Sequence, residues 1–123
     1  MNLLKNILWV GAGSFIGGAL RYMISYLIKY NGGFPWATFV INLLGCLIIG
    51  LLWGWFSKIP NTFQSLVLFL TVGLCGGFTT FSTFSKESVM MIQSGNYLFF
   101  TLYILGSVML GISLAAIGYY MTN

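Results

Sequence analysis

The groups in this chain that could meet an ion lie inside apolar stretches. Arg21 follows Gly17-Gly18-Ala19-Leu20. A guanidinium within a membrane span is costly and is a functional candidate by default, although a side chain of that length also snorkels to the headgroups. Thr38 and Asn42 stand four apart, as do Tyr103 and Ser107, a spacing that puts each pair on one helix face. Asn42 offers two donors and an acceptor, and its ordinary role would be an interhelical hydrogen bond. Hydroxyls in membrane helices usually bond their own i−4 carbonyl, so the case rests on the set rather than on any one member. Phe78, Phe81 and Phe84 recur every three residues, and Phe81 and Phe84 are interleaved with Thr80, Ser82, Thr83 and Ser85. Such a stripe is ordinarily packing. Aromatic rings also carry a positive edge. Ring edges together with hydroxyl and amide donors would suit a small anion without a full positive charge to trap it.

The inventory excludes most other chemistry. The sequence has no histidine and one acid, Glu87, which follows Lys86. Paired-carboxylate catalysis needs two acids, a Ser-His-Asp arrangement needs a histidine, and a zinc or di-metal site needs several His, Cys or acidic ligands. None can be built within one chain, so an enzyme is not expected. A proton relay is poorly supplied, and Glu87 is left to pair with a cation or to cap polar backbone. Cys46 and Cys75 sit in apolar segments without CxxC spacing and read as small core hydrophobes. The scattered cations form no basic cluster for nucleic acid.

These residues must be held by membrane helices. Only 5% of the 123 residues are charged, 59% are hydrophobic and the mean hydropathy is +0.95. A soluble domain has about 25% charged residues. The sequence therefore predicts an all-α integral membrane protein, a single domain with spans at approximately 4–28, 36–56, 63–92 and 97–121. Asn31-Gly32-Gly33 with Pro35, then Ser57 to Asn61, then Ser94-Gly95-Asn96 mark the breaks. The first stretch runs past Gly11 and Gly13 to Ile28 without an A-x-A-like site, so it reads as a span and not a cleaved leader. Short connections make consecutive helices antiparallel and predict them as neighbours. The third segment is too long for one plain span. From Gly73 to Ser85 it holds three glycines and five hydroxyl residues, poor helix material, so an interruption is expected near Gly76–Thr79. Unwound backbone at membrane depth is tolerated only within protein or beside a wet cavity. Gly13/Gly17 and Gly50/Gly54 have the four-residue spacing of close helix packing; for Gly73/Gly77 packing and ion binding are both open. The loop cations divide two to one, Lys5 and Lys58 against Lys29. The excess that orients a membrane protein nearly vanishes, which leaves both a single orientation and insertion both ways open.

Gly76-Gly77-Phe78-Thr79-Thr80-Phe81-Ser82-Thr83-Phe84 resembles the signature of the Fluc-type, CrcB-like fluoride channels. Gly18-Ala19-Leu20-Arg21-Tyr22 and the stretch from Thr38 to Gly45 are similar to that family's first- and second-helix motifs, in order. The resemblance implies an antiparallel dual-topology homodimer in the cell membrane, with two pores through which fluoride leaves the cytoplasm passively. It implies that Phe81 and Phe84 turn ring edges to fluoride and that Asn42 lines the pore beside them. Ser82, Thr83, Tyr103 and Ser107 would form polar tracks, with Thr38 on the Asn42 face, and Arg21 would sit near an aqueous vestibule. Backbone carbonyls of Gly76 and Thr79 would hold a structural sodium ion (Na+) that is not transported. Gly111 stands one turn after Ser107, where some members continue with a hydroxyl.

Fluoride is small and strongly hydrated, so a pore must replace water with many weak donors. The main rival, a small four-helix multidrug or guanidinium exporter, needs a membrane carboxylate, usually early in the chain; the first span has none. A non-catalytic scaffold would account for the glycines but not for the Phe, Thr and Ser density after Gly76.

Overall fold

The computed structural model describes residues 2–123 and is all-helical over them. Four helical stretches are long and apolar enough to cross a membrane: Leu3–Leu27, Trp36–Phe56, Asn61–Gln93 and Tyr97–Thr122. The first is helix α1 (Leu3–Leu27), started by Asn2, whose side chain accepts from the Leu4 N–H at 2.9 Å. It ends in a loop that turns at Gly32, with φ +88°, where an L side chain would be strained. Pro35, with its φ held at −79° and no side-chain cap bond, then occupies the N-cap position of α2 (Trp36–Phe56). A short 3₁₀ turn, Asn61–Phe63, opens the third span.

That third span is the least regular. It runs through α3 (Gln64–Val67), a wide π-helical stretch Leu68–Cys75, α4 (Gly76–Phe78) and α5 (Phe81–Gln93). Thr79 and Thr80 separate α4 from α5 in extended conformation, with φ/ψ of −80/158° and −148/120°. The interruption thus falls at the C-terminal edge of the predicted stretch. Gly76–Phe78 stays helical, and the π-helical turns before it have no signal in the residue pattern. Gly95, with φ +75°, turns the chain into α6 (Tyr97–Thr122), which Asn96 caps by accepting from Phe99 N–H.

Consecutive helices are not the main neighbours, contrary to the expectation from loop length. The extensive pairings are α2 with α6, and α1 with the π-helical stretch and α4, while α1 and α2 meet only lightly. Glycine explains the choice. A β-carbon on Gly13 would lie 2.9 Å from the Gly73 Cα, and one on Gly77 would lie 2.8 Å from the Ser14 Cα. The two backbones therefore touch directly, which maximises dispersion contact where lipid gives no hydrophobic drive. Gly50 and Gly118 make the same seam between α2 and α6, against Ala115 and against the Leu47–Leu51 turn. Of the two readings open for Gly73/Gly77, the structure supports packing. Little of each span is covered by the chain itself: 11–22% of the apolar windows is buried internally. The rest faces outward, as a multi-pass membrane protein requires. The core is small and centres on Ile41, Met91 and Tyr103, each 1% exposed or less.

Candidate functional site

Asn42 organises the break in the third span. Its Oδ1 accepts from the Thr80 N–H at 2.9 Å, and its Nδ2 donates to the Thr80 carbonyl at 3.1 Å. One amide thus replaces the partners that an unwound residue loses, as polar groups at membrane depth demand. Thr80 also caps α5: its Oγ1 accepts from the Thr83 N–H at 3.2 Å. The same hydroxyl donates to Thr83 Oγ1 at 3.2 Å and lies 3.3 Å from Ser82 Oγ. On the other side, Arg21 reaches across from α1 and donates Nε–H to the Gly77 carbonyl at 3.1 Å. Part of the guanidinium is therefore spent on the third span rather than on the headgroups.

Beside this break the chain carries an open groove of about 440 Å³. Asn42, Gly76, Thr79, Phe81, Phe84 and Ser107 are among its lining. Phe81 is 78% exposed, and its ring centroid lies 5.8 Å from that of half-buried Phe84. Phe78 is buried at 7%. The every-third-residue stripe is therefore not one stripe: the break turns Phe78 into the core and Phe81 into the groove. The Ser107 Oγ is buried without a hydrogen-bond partner among the described residues. Phe84 also meets Tyr103, at 4.8 Å between centroids. Tyr103 is fully buried and donates its hydroxyl to Glu87 Oε1 at 2.9 Å. Thr38, 3% exposed, lies beside that hydroxyl.

A family model described as CrcB-like protein, Camphor Resistance (CrcB), matches residues 8–119. The chain belongs to this CrcB-like family. It is 45% identical over 122 residues to a protein of Phocaeicola vulgatus named fluoride-specific ion channel FluC, covering 98% of this chain and 100% of that one. A protein of the same name from Oceanobacillus iheyensis is 44% identical over 115 residues, covering 94% and 89%. Another, from a Methylobacterium species, is 46% identical over 115 residues, covering 93% of each.

The CrcB-like chain thus gathers Asn42, Phe81, Phe84 and Ser107 on one groove, while Ser82 and Thr83 are tied to it only through the Thr80 hydroxyl. Tyr103 and Thr38 lie behind Phe84 instead, in the core. The residue reading counted Thr80 among the hydroxyls around Phe81 but did not give it its place as hub of the cluster. A Thr just after a glycine run and just before a helical stretch is an N-cap signal that could have found it. The Tyr103–Glu87 bond was missed as well, although the two residues are equidistant from the Gly95 turn. The partner found for Glu87 is thus a phenol.

The backbone at the break also fits a hard cation. The Thr80 N–H, which would close a helical bond onto the Gly76 carbonyl, is taken by Asn42. The Thr83 N–H, which would close onto Thr79, is taken by Thr80 Oγ1. Both carbonyls lose their α-helical donors on residues that line the groove. Carbonyls freed where a membrane helix is broken are donors of the kind that coordinates Na+. Among the described residues, no cluster of His, Cys or acidic side chains offers an alternative metal site.

Proposed function

We propose that this chain is a fluoride-selective channel that lets fluoride leave the cytoplasm passively, and that it works as an antiparallel homodimer with two pores. The observation that carries this reading is the groove at the break, where 78%-exposed Phe81 stands beside Phe84 and the Thr80–Ser82–Thr83 hydroxyls. Hydroxyls and unwound main chain are poor surfaces to leave to lipid. A second copy of the chain closes the groove and leaves a path between two walls. Kinship with proteins named fluoride-specific channels supports fluoride as the ion.

In this reading the ring edges of Phe81 and Phe84 face the anion. The Ser107, Ser82 and Thr83 hydroxyls donate weakly in place of water, and Tyr103 and Thr38 continue the polar path behind Phe84. Asn42 keeps the wall in place through Thr80. Arg21, anchored to Gly77, stands near the vestibule and adds positive potential at the mouth. No lysine or arginine side chain lines the groove to trap the ion, so it can leave. Gly76 and Thr79 carbonyls would hold a Na+ ion, which supplies fixed positive charge where the two copies meet. The protein is then a channel and not an enzyme.

The test is ion efflux from liposomes holding purified protein. Fluoride should leave rapidly and chloride far more slowly, and Phe81→Ile should abolish the flux while the dimer persists. Equal chloride and fluoride flux would overturn selectivity. Uphill, proton-coupled transport would overturn the channel. Unchanged flux in the variant would remove Phe81 from the pore.

A further inference from the structure

Phe34 lies on no helix, yet it is a centre of aromatic contact. It sits in the loop between α1 and α2, directly before the Pro35 cap. Its ring meets those of Phe39, Phe99 and Tyr103 edge-on, with centroids at 5.2, 5.9 and 5.5 Å and interplanar angles of 79°, 89° and 83°. Edge-to-face pairs of this kind are favoured by the ring quadrupole and fix mutual orientation. Tyr103 is therefore held among three rings: Phe34 from the loop, Phe39 from α2 at 6.3 Å, and Phe84 beside the groove at 4.8 Å. Two torsions set where its hydroxyl points, and that hydroxyl donates to Glu87 at 2.9 Å. The rings of Phe81, Phe84, Tyr103 and Phe34 make one connected series from the groove to the loop.

We propose that Phe34 is a positioning residue for the pore: it locks the Tyr103 ring so that the phenol meets Glu87, and thereby sets the polar path behind Phe84. The inference rests on the channel reading above. Pro35, directly after Phe34, fixes its own φ and confines the Phe34 backbone to extended conformations, while three edge-on rings hold the Phe34 side chain. Phe34 is thus a fixed wall rather than a mobile flap. Its removal leaves Tyr103 free to rotate, and the carboxylate then loses its donor.

The experiment measures fluoride efflux from liposomes for Phe34→Ala, Phe34→Tyr and Tyr103→Phe, and for Phe34→Ala combined with Tyr103→Phe. Phe34→Ala should lower flux by roughly tenfold, and Phe34→Tyr, which keeps the ring, should restore it to near the parent value. In the Tyr103→Phe background Phe34→Ala should add little, because a residue that acts through the phenol has nothing left to position. Equal losses in both backgrounds, or full flux in Phe34→Ala, would overturn the proposal. A second readout is independent of flux. In ring-labelled tyrosine NMR, the Tyr103 signal is the one that Tyr103→Phe removes. It should report a single fixed ring in the parent and a shifted, motionally averaged one in Phe34→Ala. An unshifted signal would overturn the proposal, including in Phe34→Leu should Phe34→Ala fail to fold. If the parent protein does not conduct fluoride, the channel reading fails, and the NMR comparison alone decides whether Phe34 positions Tyr103.

Discussion

At the scale of single residues, Asn42 has the most defined structural task. Both ends of its amide are used on the main chain of Thr80. Replacing it with leucine keeps the branched side-chain skeleton and leaves a carbonyl and an N–H unsatisfied in a part-buried place. Each such group costs about 1–3 kcal/mol, so Asn42→Leu should lower the thermal unfolding midpoint of the purified protein clearly. Hydrogen exchange at the Thr80 amide should accelerate in parallel. A midpoint and an exchange rate equal to the parent's would show that the unwound turn holds itself. The sequence made Asn42 visible as an amide in an apolar span. It could not reveal that the partner would be main chain, because that depends on where the third span unwinds.

Among elements, the glycine seams determine the packing. Gly17 has no room for a β-carbon: it would collide with the Leu74 carbonyl and stand 2.8 Å from the Phe78 nitrogen. Gly11, on the same helix, has nothing within 4 Å of that position. Gly17→Ala should force α1 and the third span apart, at a cost of about 1–3 kcal/mol, and reduce the yield of folded, monodisperse protein. Gly11→Ala should be neutral or slightly stabilising, since alanine favours helix. Equal behaviour of the two variants in thermal melting would show that α1 does not depend on this contact. Span count, turns and the existence of a break were legible because hydropathy, Gly/Pro punctuation and helix propensity are local properties. The pairing of α1 with the third span, and of α2 with α6, was only half legible. Gly13, Gly17, Gly50 and Gly54 marked faces without naming the partners, and the short loops pointed to the wrong ones. The π-helical Leu68–Cys75 was not legible at all, since none of its residues marks wide turns.

For the whole molecule, the proposed sodium site joins fold to assembly. If Gly76 and Thr79 carbonyls from two copies share one ion, removing sodium leaves them facing each other uncompensated. The dimer should then weaken, and fluoride flux should fall with it. Stripping sodium by exchange into a large organic cation, followed by sizing and an efflux assay, checks this. Survival of both dimer and flux would show that the carbonyls are used otherwise. The third span has a further consequence for how the protein fits its bilayer. As one straight α-helix its 33 residues would stand about 50 Å tall, against a hydrocarbon layer of roughly 30 Å. The wide turns put more residues into each turn, and the extended Thr79–Thr80 step redirects the chain, so the surplus is absorbed inside the protein. The shortest span, α2, has 21 residues and no such slack. At about 32 Å it barely matches the layer. Hydrophobic mismatch in a thicker membrane therefore falls first on α2, the helix that carries Asn42, and lipid thickness becomes a lever on the groove.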